Sequence, residues 1–169
     1  HGTPPDTYSR PPRASDGCIV LANPDLLLVG RFMQVGMTPV IIAEEVEWAD
    51  AAAVQAERAT LSAALEQWRV DWESRDTDRY LGHYSPAFRA GAQDLAAWAA
   101  HKRAVNAGKA WIRVGLGQVS MLRYPNQANF VVVTFAQQYR SNNLSNTMRK
   151  RQYWQKEDGR WRIFYEGSA

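Results

Sequence analysis

The sequence predicts an α+β fold in which three helices pack on a curved antiparallel sheet and form a cone. Apolar residues of the stretch 50–74 recur at helical spacing, whereas the chain after Gly108 alternates in strand-like runs. Asp158-Gly159 separates the last two of these runs and is a tight hairpin signal. Helices followed by a meander of strands are typical of α+β domains.

Residues 1–48 predict a separate, partly β-rich segment before the cone. Four prolines among residues 4–12 keep this stretch out of a helix. Asp25 is expected to cap a short helix over 26–29, and residues 39–43 predict a short strand. The acidic run 44–48 indicates a domain edge, so we place the two domains at 1–48 and 49–169.

Three helices are predicted in the second domain. The first covers about residues 50–74, the second covers 79–84, and Asp94 is expected to cap the third. Trp68 and Trp72 stand at helical spacing, as does Trp98 in its own helix, and we expect these rings in the core. We interpret His83 and His101 as structural residues.

Four strands are predicted after the helices, over 111–124, 130–140, 147–156 and 160–166. Strand alternation in the third of them gives two faces, of which either could meet an anionic partner. One face holds Arg149, Arg151 and Tyr153, and the other holds Lys150, Gln152 and Trp154.

The net charge of +3 conceals an uneven distribution. Residues 1–99 hold 8 Lys/Arg and 14 Asp/Glu, a net −6, whereas residues 100–169 hold 12 and 3, a net +9. A basic half can attract nucleic acid. No Gly-rich phosphate loop or RNA-binding aromatic signature accompanies the charge, so we expect no nucleic-acid partner. Alternating Arg and Lys can instead solvate the outer face of a sheet.

Membrane-spanning and metal-binding sequence signals are absent. No run approaches the roughly 18–20 apolar residues that cross a bilayer, so no transmembrane segment is predicted. The three histidines and the single cysteine show no metal-ligand spacing. We therefore expect neither a metal nor an organic cofactor.

Cys18 is the only cysteine, so it cannot form an internal disulfide. It follows the turn Ser15-Asp16-Gly17 and precedes an apolar run. A thiol beside a base can act as a nucleophile, and His1, 17 residues upstream, is the candidate base. Gly17 would leave backbone N–H groups of the turn open to a carbonyl oxygen. The alternative is a buried, inert cysteine.

The stretch 1–23 resembles the active-site signature of the YkuD family, the L,D-transpeptidases of bacterial cell walls. In that family a His-Gly or His-Ser pair precedes a Ser-His-Gly-Cys run. Asp16 departs from the pattern, because many members have histidine at that position. The matching residues are His1, Gly2, Ser15, Gly17 and Cys18, with a weaker match at Asn23.

The resemblance implies acyl transfer on peptidoglycan stem peptides, with Cys18 as nucleophile, His1 as general base and Gly17 in the site. It also implies a periplasmic or cell-envelope location. The strands that such a catalytic fold needs, and any export signal, would precede His1, so we expect a fragment with little activity alone. Substrate contacts are expected from Gly2, Arg10, Arg13, Ser15 and Asp16.

Residues 50–167 resemble the nuclear-transport-factor-two-like (SnoaL-like) superfamily. The segment WRVDWESRDTDRYLGHY is similar to its opening helices, and RQYWQKEDGRWRIFYEG is similar to its closing hairpin. One branch of the YkuD family often carries such a domain at its C-terminal end, which agrees with this architecture. A homodimer through the C-terminal sheet is one assembly we consider.

The SnoaL-like fold hosts both enzymes and binding modules. The alternative function is therefore a non-catalytic module that holds a cell-wall fragment or small ligand. A third alternative, a stand-alone SnoaL-like enzyme, would need a polar catalytic set inside the cone. No Asp–His pair at useful spacing is found in the sequence to support it.

Overall fold

The computed structural model describes residues 1–8, 10–11, 15–35 and 37–169 and divides into two compact units, His1–Ile42 and Ala43–Ala169. The first unit contains helix α1 (Asn23–Gly30), whose N-cap is Ala22 without a side-chain hydrogen bond. The predicted cap, Asp25, lies inside its first turn instead. The strand expected over 39–43 is wrong, because Val40, Ile41 and Ile42 are exposed and no strand pairs with them.

Three helices of the second unit begin at aspartates that accept a backbone hydrogen bond. They are α2 (Ala51–Ser74), α3 (Thr77–Leu81) and α4 (Leu95–Ala107). The caps are Asp50, Asp76 and Asp94, each 2.9–3.0 Å from an N–H group three residues further on. Helix α3 starts earlier than predicted, because Asp76 supplies its cap.

A six-stranded sheet follows the order β2-β1-β6-β5-β4-β3. Strands β3 to β6 pair antiparallel, as predicted. Strands β1 and β6 run parallel, so the sheet as a whole is mixed rather than antiparallel. Strand β1 was missed because it contains Pro86, which lies between the two paired positions Tyr84 and Arg89. The strands are β1 (Tyr84–Ala90), β2 (Gln93–Asp94), β3 (Ile112–Tyr124), β4 (Gln127–Ser141), β5 (Ser145–Glu157) and β6 (Arg160–Ser168).

The predicted hairpin between the last two strands is confirmed. Asp158 and Gly159 have φ values of 48° and 77°, the positive pair that a type I′ turn requires. The two-residue turn fixes the register of β5 against β6, so that Lys156 pairs with Trp161.

The helices cover one face of the sheet and enclose the core with it. The predicted core tryptophans Trp68, Trp72 and Trp98 are buried there, which confirms that prediction. Gln152 and Trp154 of β5 are also buried. Alternation then directs Arg149, Arg151 and Tyr153 to the opposite, outward face.

Candidate functional site

Backbone hydrogen bonds in the first unit place His1 beside the segment that follows Cys18. The backbone nitrogen of His1 donates to the carbonyl of Ile19 at 3.0 Å, and the N–H of Leu21 donates to the carbonyl of His1 at 3.1 Å. These two bonds form the pattern of one parallel-strand bridge opposite Val20. Strands joined this way lie about 4.8 Å apart, so the predicted base and nucleophile belong to neighbouring stretches of backbone.

The turn before Cys18 presents the thiol to solvent. Ser15 Oγ donates to the carbonyl of Cys18 at 2.6 Å, and Gly17 has a φ of 88°, which favours glycine. Cys18 is exposed, so the alternative of a buried, inert cysteine is wrong. Arg10 and Asp16 are exposed as well, whereas Arg13 lies outside the described residues.

The imidazole of His1 is oriented by its own neighbour. Nδ1 lies 2.7 Å from the carbonyl oxygen of Gly2, and because a carbonyl can only accept, Nδ1 carries the proton. In the neutral ring the lone pair then resides on Nε2. Within the described residues, neither this nitrogen nor the Cys18 sulfur has a hydrogen-bond partner.

Gly2 is required by close packing rather than by its backbone angles. A Cβ atom at this position would lie 2.0 Å from Oδ1 of Asn23, the first residue of α1. A larger residue at position 2 would force the Asn23 side chain to move. Asn23, the weaker match to the YkuD signature, thus lies against Gly2, one of the stronger matches.

A cluster of polar side chains lies inside the cone around Glu166, which is 3% exposed. Its Oε1 accepts from Lys150 Nζ at 3.0 Å. Its Oε2 accepts from the Tyr84 hydroxyl and from Gln152 Nε2, both at 3.0 Å. The carboxylate is therefore fully satisfied by one cation and two neutral donors.

Electrostatics keep this carboxylate charged. Burial opposes the charged form, but the ammonium groups of Lys150 and Lys102 outweigh it and hold the pKa of Glu166 below its ordinary value. Burial, with Glu166 nearby, raises the pKa of Tyr80 and of Tyr84 well above the ordinary value. The two phenols, which hydrogen-bond to each other, therefore act only as neutral groups.

Lys102 extends from α4 into a box of aromatic rings. Its Nζ lies 4.3 Å from the centroid of Trp98, 4.9 Å from that of Trp72 and 5.7 Å from that of Tyr80. Burial lowers the pKa of Lys102 to about 8, although Glu166 opposes this shift. No hydrogen-bond acceptor for Nζ occurs among the described residues, so three donors there can receive a ligand or water.

Residues 60–167 match the family model of the Cds6 C-terminal NTF2-like domain. The chain belongs to this family. The SnoaL-like part of the sequence-based expectation is thereby confirmed. No match to the YkuD family accompanies it, and no curated protein matches the chain.

Solved structures resemble the NTF2-like domain and extend beyond it. Bd1075 of Bdellovibrio bacteriovorus is 25% identical with a TM-score of 0.81, and the alignment covers all of this chain and 59% of that one. The helical cell shape determining protein Pgp2 of Campylobacter jejuni is 24% identical with a TM-score of 0.74, over 99% of this chain and 59% of that one. The chain thus spans about three fifths of both relatives.

An NTF2-like protein of unknown function from Pseudomonas putida is 15% identical. It has a TM-score of 0.57 and is aligned over 70% of this chain and 87% of that one. This likeness shows the fold alone.

The NTF2-like domain also contains an Asp–His pair that sequence spacing did not reveal. Oδ2 of the buried Asp71 lies 2.7 Å from Nε2 of His83, while its Oδ1 contacts Arg79 at 2.9 Å and Gln67 at 3.0 Å. Sequence spacing did not suggest this pair, because it forms only when the α2–α3 turn folds His83 back onto α2. With both oxygens occupied, Asp71 acts as the anchor of this turn.

The described residues carry neither a metal site nor a membrane-spanning helix. No group of three or more His, Cys, Asp and Glu could hold a metal ion there. No helix in the same part of the chain has the length and hydropathy for crossing a membrane.

Proposed function

We propose that this chain carries the nucleophile of a cysteine acyltransferase that acts on peptidoglycan stem peptides, together with an accessory NTF2-like domain. The observation that carries the proposal is the pair of hydrogen bonds that hold His1 opposite Val20, two residues from the exposed Cys18. The fold shared over the whole chain with Bd1075 and Pgp2, the latter a cell-shape determinant, supports a cell-envelope setting.

The proposed reaction uses Nε2 of His1 as the base. This nitrogen takes the proton of the Cys18 thiol, and the thiolate attacks the carbonyl carbon after the L-centre of diaminopimelate. The C–N bond then breaks, the imidazolium gives its proton to the leaving amine of D-alanine, and a thioester remains. An amine or water attacks the thioester and releases Cys18, which gives transpeptidase or carboxypeptidase activity respectively.

Groups around the thiol fit two further steps. The N–H groups of the Gly17–Cys18 turn can accept the developing negative charge on the carbonyl oxygen. From the signature, Arg10 is expected to provide a cation for a carboxylate of the substrate. Arg13 and Asp16 remain predictions from the signature.

A thiol-directed carbapenem tests the proposal, with adduct formation followed by intact-protein mass spectrometry. We expect one adduct at Cys18 in the protein extended upstream of His1 and weak labelling of the 169-residue chain. Cys18→Ser should abolish the adduct, since the weaker hydroxyl nucleophile replaces the thiol. An extended protein that stays unlabelled would refute the acyltransferase.

The interior of the cone favours a second, binding function. Lys102 lies in an aromatic box and offers three donors without an acceptor among the described residues. It also interacts electrostatically with Lys150 and Glu166. A carboxylate of a cell-wall fragment would supply the missing acceptor, while the rings pack against its apolar parts. Such a ligand would bring substrate to the domain without reacting there.

Replacing Lys102 by methionine should weaken binding of soluble muropeptides about tenfold or more, a factor typical of losing one charged anchor. Calorimetric titration of the Cys18→Ala chain measures this without acylation. Affinity should also fall as the pH rises past about 8, where Lys102 loses its proton. Lys156→Met is the matched control, because Lys156 also lies over a tryptophan, Trp161, but is exposed. Equal affinities of the two variants would disprove the role of the box.

A further inference from the structure

Aromatic side chains form a continuous patch on the outward face of the sheet, opposite the cone. Strand alternation and ring contacts place them together, and we call them the aromatic platform. Tyr153 lies at the centre, with ring centroids 5.1 Å from Tyr165, 5.8 Å from Phe130 and 6.2 Å from Tyr124. The members are Tyr124, Phe130, Tyr153, Phe164 and Tyr165.

A β-bulge brings two of these rings to the same face. The register shifts opposite Tyr153 and Trp154, so consecutive Phe164 and Tyr165 both point outward. The Tyr165 ring then lies along its own strand over Gly167, where a Cβ atom would be only 2.3 Å from the phenol oxygen. Glycine at this position therefore leaves room for the Tyr165 ring within the platform.

Arginines outnumber carboxylates around the platform. On strands β3 to β6, which the structure describes in full, the outward positions carry six arginines and one carboxylate, Glu157. Glu157 lies 3.6 Å from Arg162. The arginines are Arg113, Arg140, Arg149, Arg151, Arg160 and Arg162.

Two details of the register show that the charges of Arg113, Arg140 and Arg151 are not neutralised within the described part of the sheet. Arg113 and Arg140 stand directly opposite each other on β3 and β4, an arrangement of like charges that destabilises a sheet. Arg151 stands opposite Gly167, next to the hydroxyl of Tyr165, and has no ion-pair partner among the described residues. An anion bound across this face would offset the repulsion between Arg113 and Arg140 and would give Arg151 an ion-pair partner.

The charge decides which kind of partner fits. A two-fold pairing of this face with a second copy would set arginines against arginines, which opposes dimerisation. Nucleic acid is bound by separate rings along a groove, on which successive bases stack. Here the rings contact one another in tilted and edge-to-face pairs and form one apolar cluster instead of a row of separate stacking positions. A sugar ring can cover such a surface while arginines grip carboxylates.

We propose that the aromatic platform and its arginines bind a carboxylate-bearing glycan, the chemical class to which peptidoglycan belongs. The cell-wall identity of this ligand rests on the proposed function, but the residues are separate from Cys18 and from the Lys102 box. The platform would hold the polymer itself, whereas the other two sites take single peptide groups.

Cosedimentation of the full chain, in its Cys18→Ala form, with purified insoluble peptidoglycan tests the proposal. Arg151→Gln and Tyr153→Leu should each weaken binding about tenfold, as expected for central Arg and Tyr contacts. Arg58→Gln, which removes one exposed charge from α2, should leave binding unchanged. Conversion of the peptidoglycan carboxyls to amides should weaken binding of the unaltered platform, and so should added salt.

A second variant keeps the test decisive if a platform substitution unfolds the protein. Arg113→Gln with Arg140→Gln removes the like-charge pair, so it should raise the melting temperature while weakening binding. Binding that persists in all three variants overturns the proposal, as does tighter binding of oligothymidylate or a dimer that these variants dissociate. Carbapenem labelling of Cys18 is independent of these outcomes, so failure here leaves the proposed acyl transfer standing.

Discussion

Replacement of His1 by alanine is expected to slow carbapenem acylation of Cys18 about 10²–10⁴-fold, the usual contribution of a general base. The reason is geometric: Nδ1–H donates to the Gly2 carbonyl, which leaves the Nε2 lone pair to take the thiol proton. The measurement is the rate of adduct formation by mass spectrometry in the protein extended upstream. Added imidazole should restore part of the rate in His1→Ala, because a free base can occupy the vacated space.

His101→Asn is the matched control for this substitution. His101 is also exposed, and its contact among the described residues is with the Trp98 ring, at 6.2 Å between centroids. Its loss should change the rate less than twofold. If His1→Ala retains the wild-type rate and pH dependence, another group activates Cys18 and the proposed role of His1 is disproved.

Features with a local physical cause could be predicted from the sequence. The α2 stripe, the Asp94 cap and the Asp158-Gly159 turn each depend on residues close together in the chain, and each was found where expected. In the first unit, the turn that exposes Cys18 follows from Ser15 and Gly17. The roles that the YkuD resemblance implies for these residues remain predictions.

Features that depend on distant pairing could not be predicted. Strand β1 forms because it pairs with β6, some eighty residues later, whereas its own Ser85-Pro86 sequence is typical of a break. Glu166 and Lys150 meet only because β5 and β6 pair in one register. A partial signal existed, since Lys150 and Gln152 share a strand face with a tryptophan, and polar residues on an inward face need partners.

Glu166→Gln should destabilise the NTF2-like domain by about 3–5 kcal/mol, the usual cost of breaking a buried ion pair on one side. The carboxylate accepts from three donors, Lys150, Tyr84 and Gln152. An amide has one accepting oxygen, and its NH₂ group would face either the ammonium or the two neutral donors. Lys150 and Lys102 would also lose the negative charge between them. Urea denaturation of the full chain measures the loss.

Two comparisons separate loss of the Glu166–Lys150 ion pair from a general disruption of core packing. Asp78→Asn makes the same chemical change in the exposed pair with Arg103 and should cost close to nothing. Combining Glu166→Gln with Lys150→Met removes both charges, so the double variant should lose less stability than the two single losses added together. Strict additivity would show that Glu166 acts through packing rather than through its charge.

The pH dependence of stability gives an independent check that the Glu166 carboxylate is charged in the folded domain. Because the lysines hold the folded-state pKa of Glu166 below its ordinary value, the charged carboxylate adds stability above the ordinary glutamate pKa of about 4.3. That contribution is lost as the pH falls through the lower folded-state pKa. The stability gap between wild type and Glu166→Gln should therefore be full at pH 7 and narrow below about pH 4. A gap that widens on acidification would mean that the buried group is protonated in the folded domain, and the cone would then hold uncompensated lysine charge rather than an ion pair.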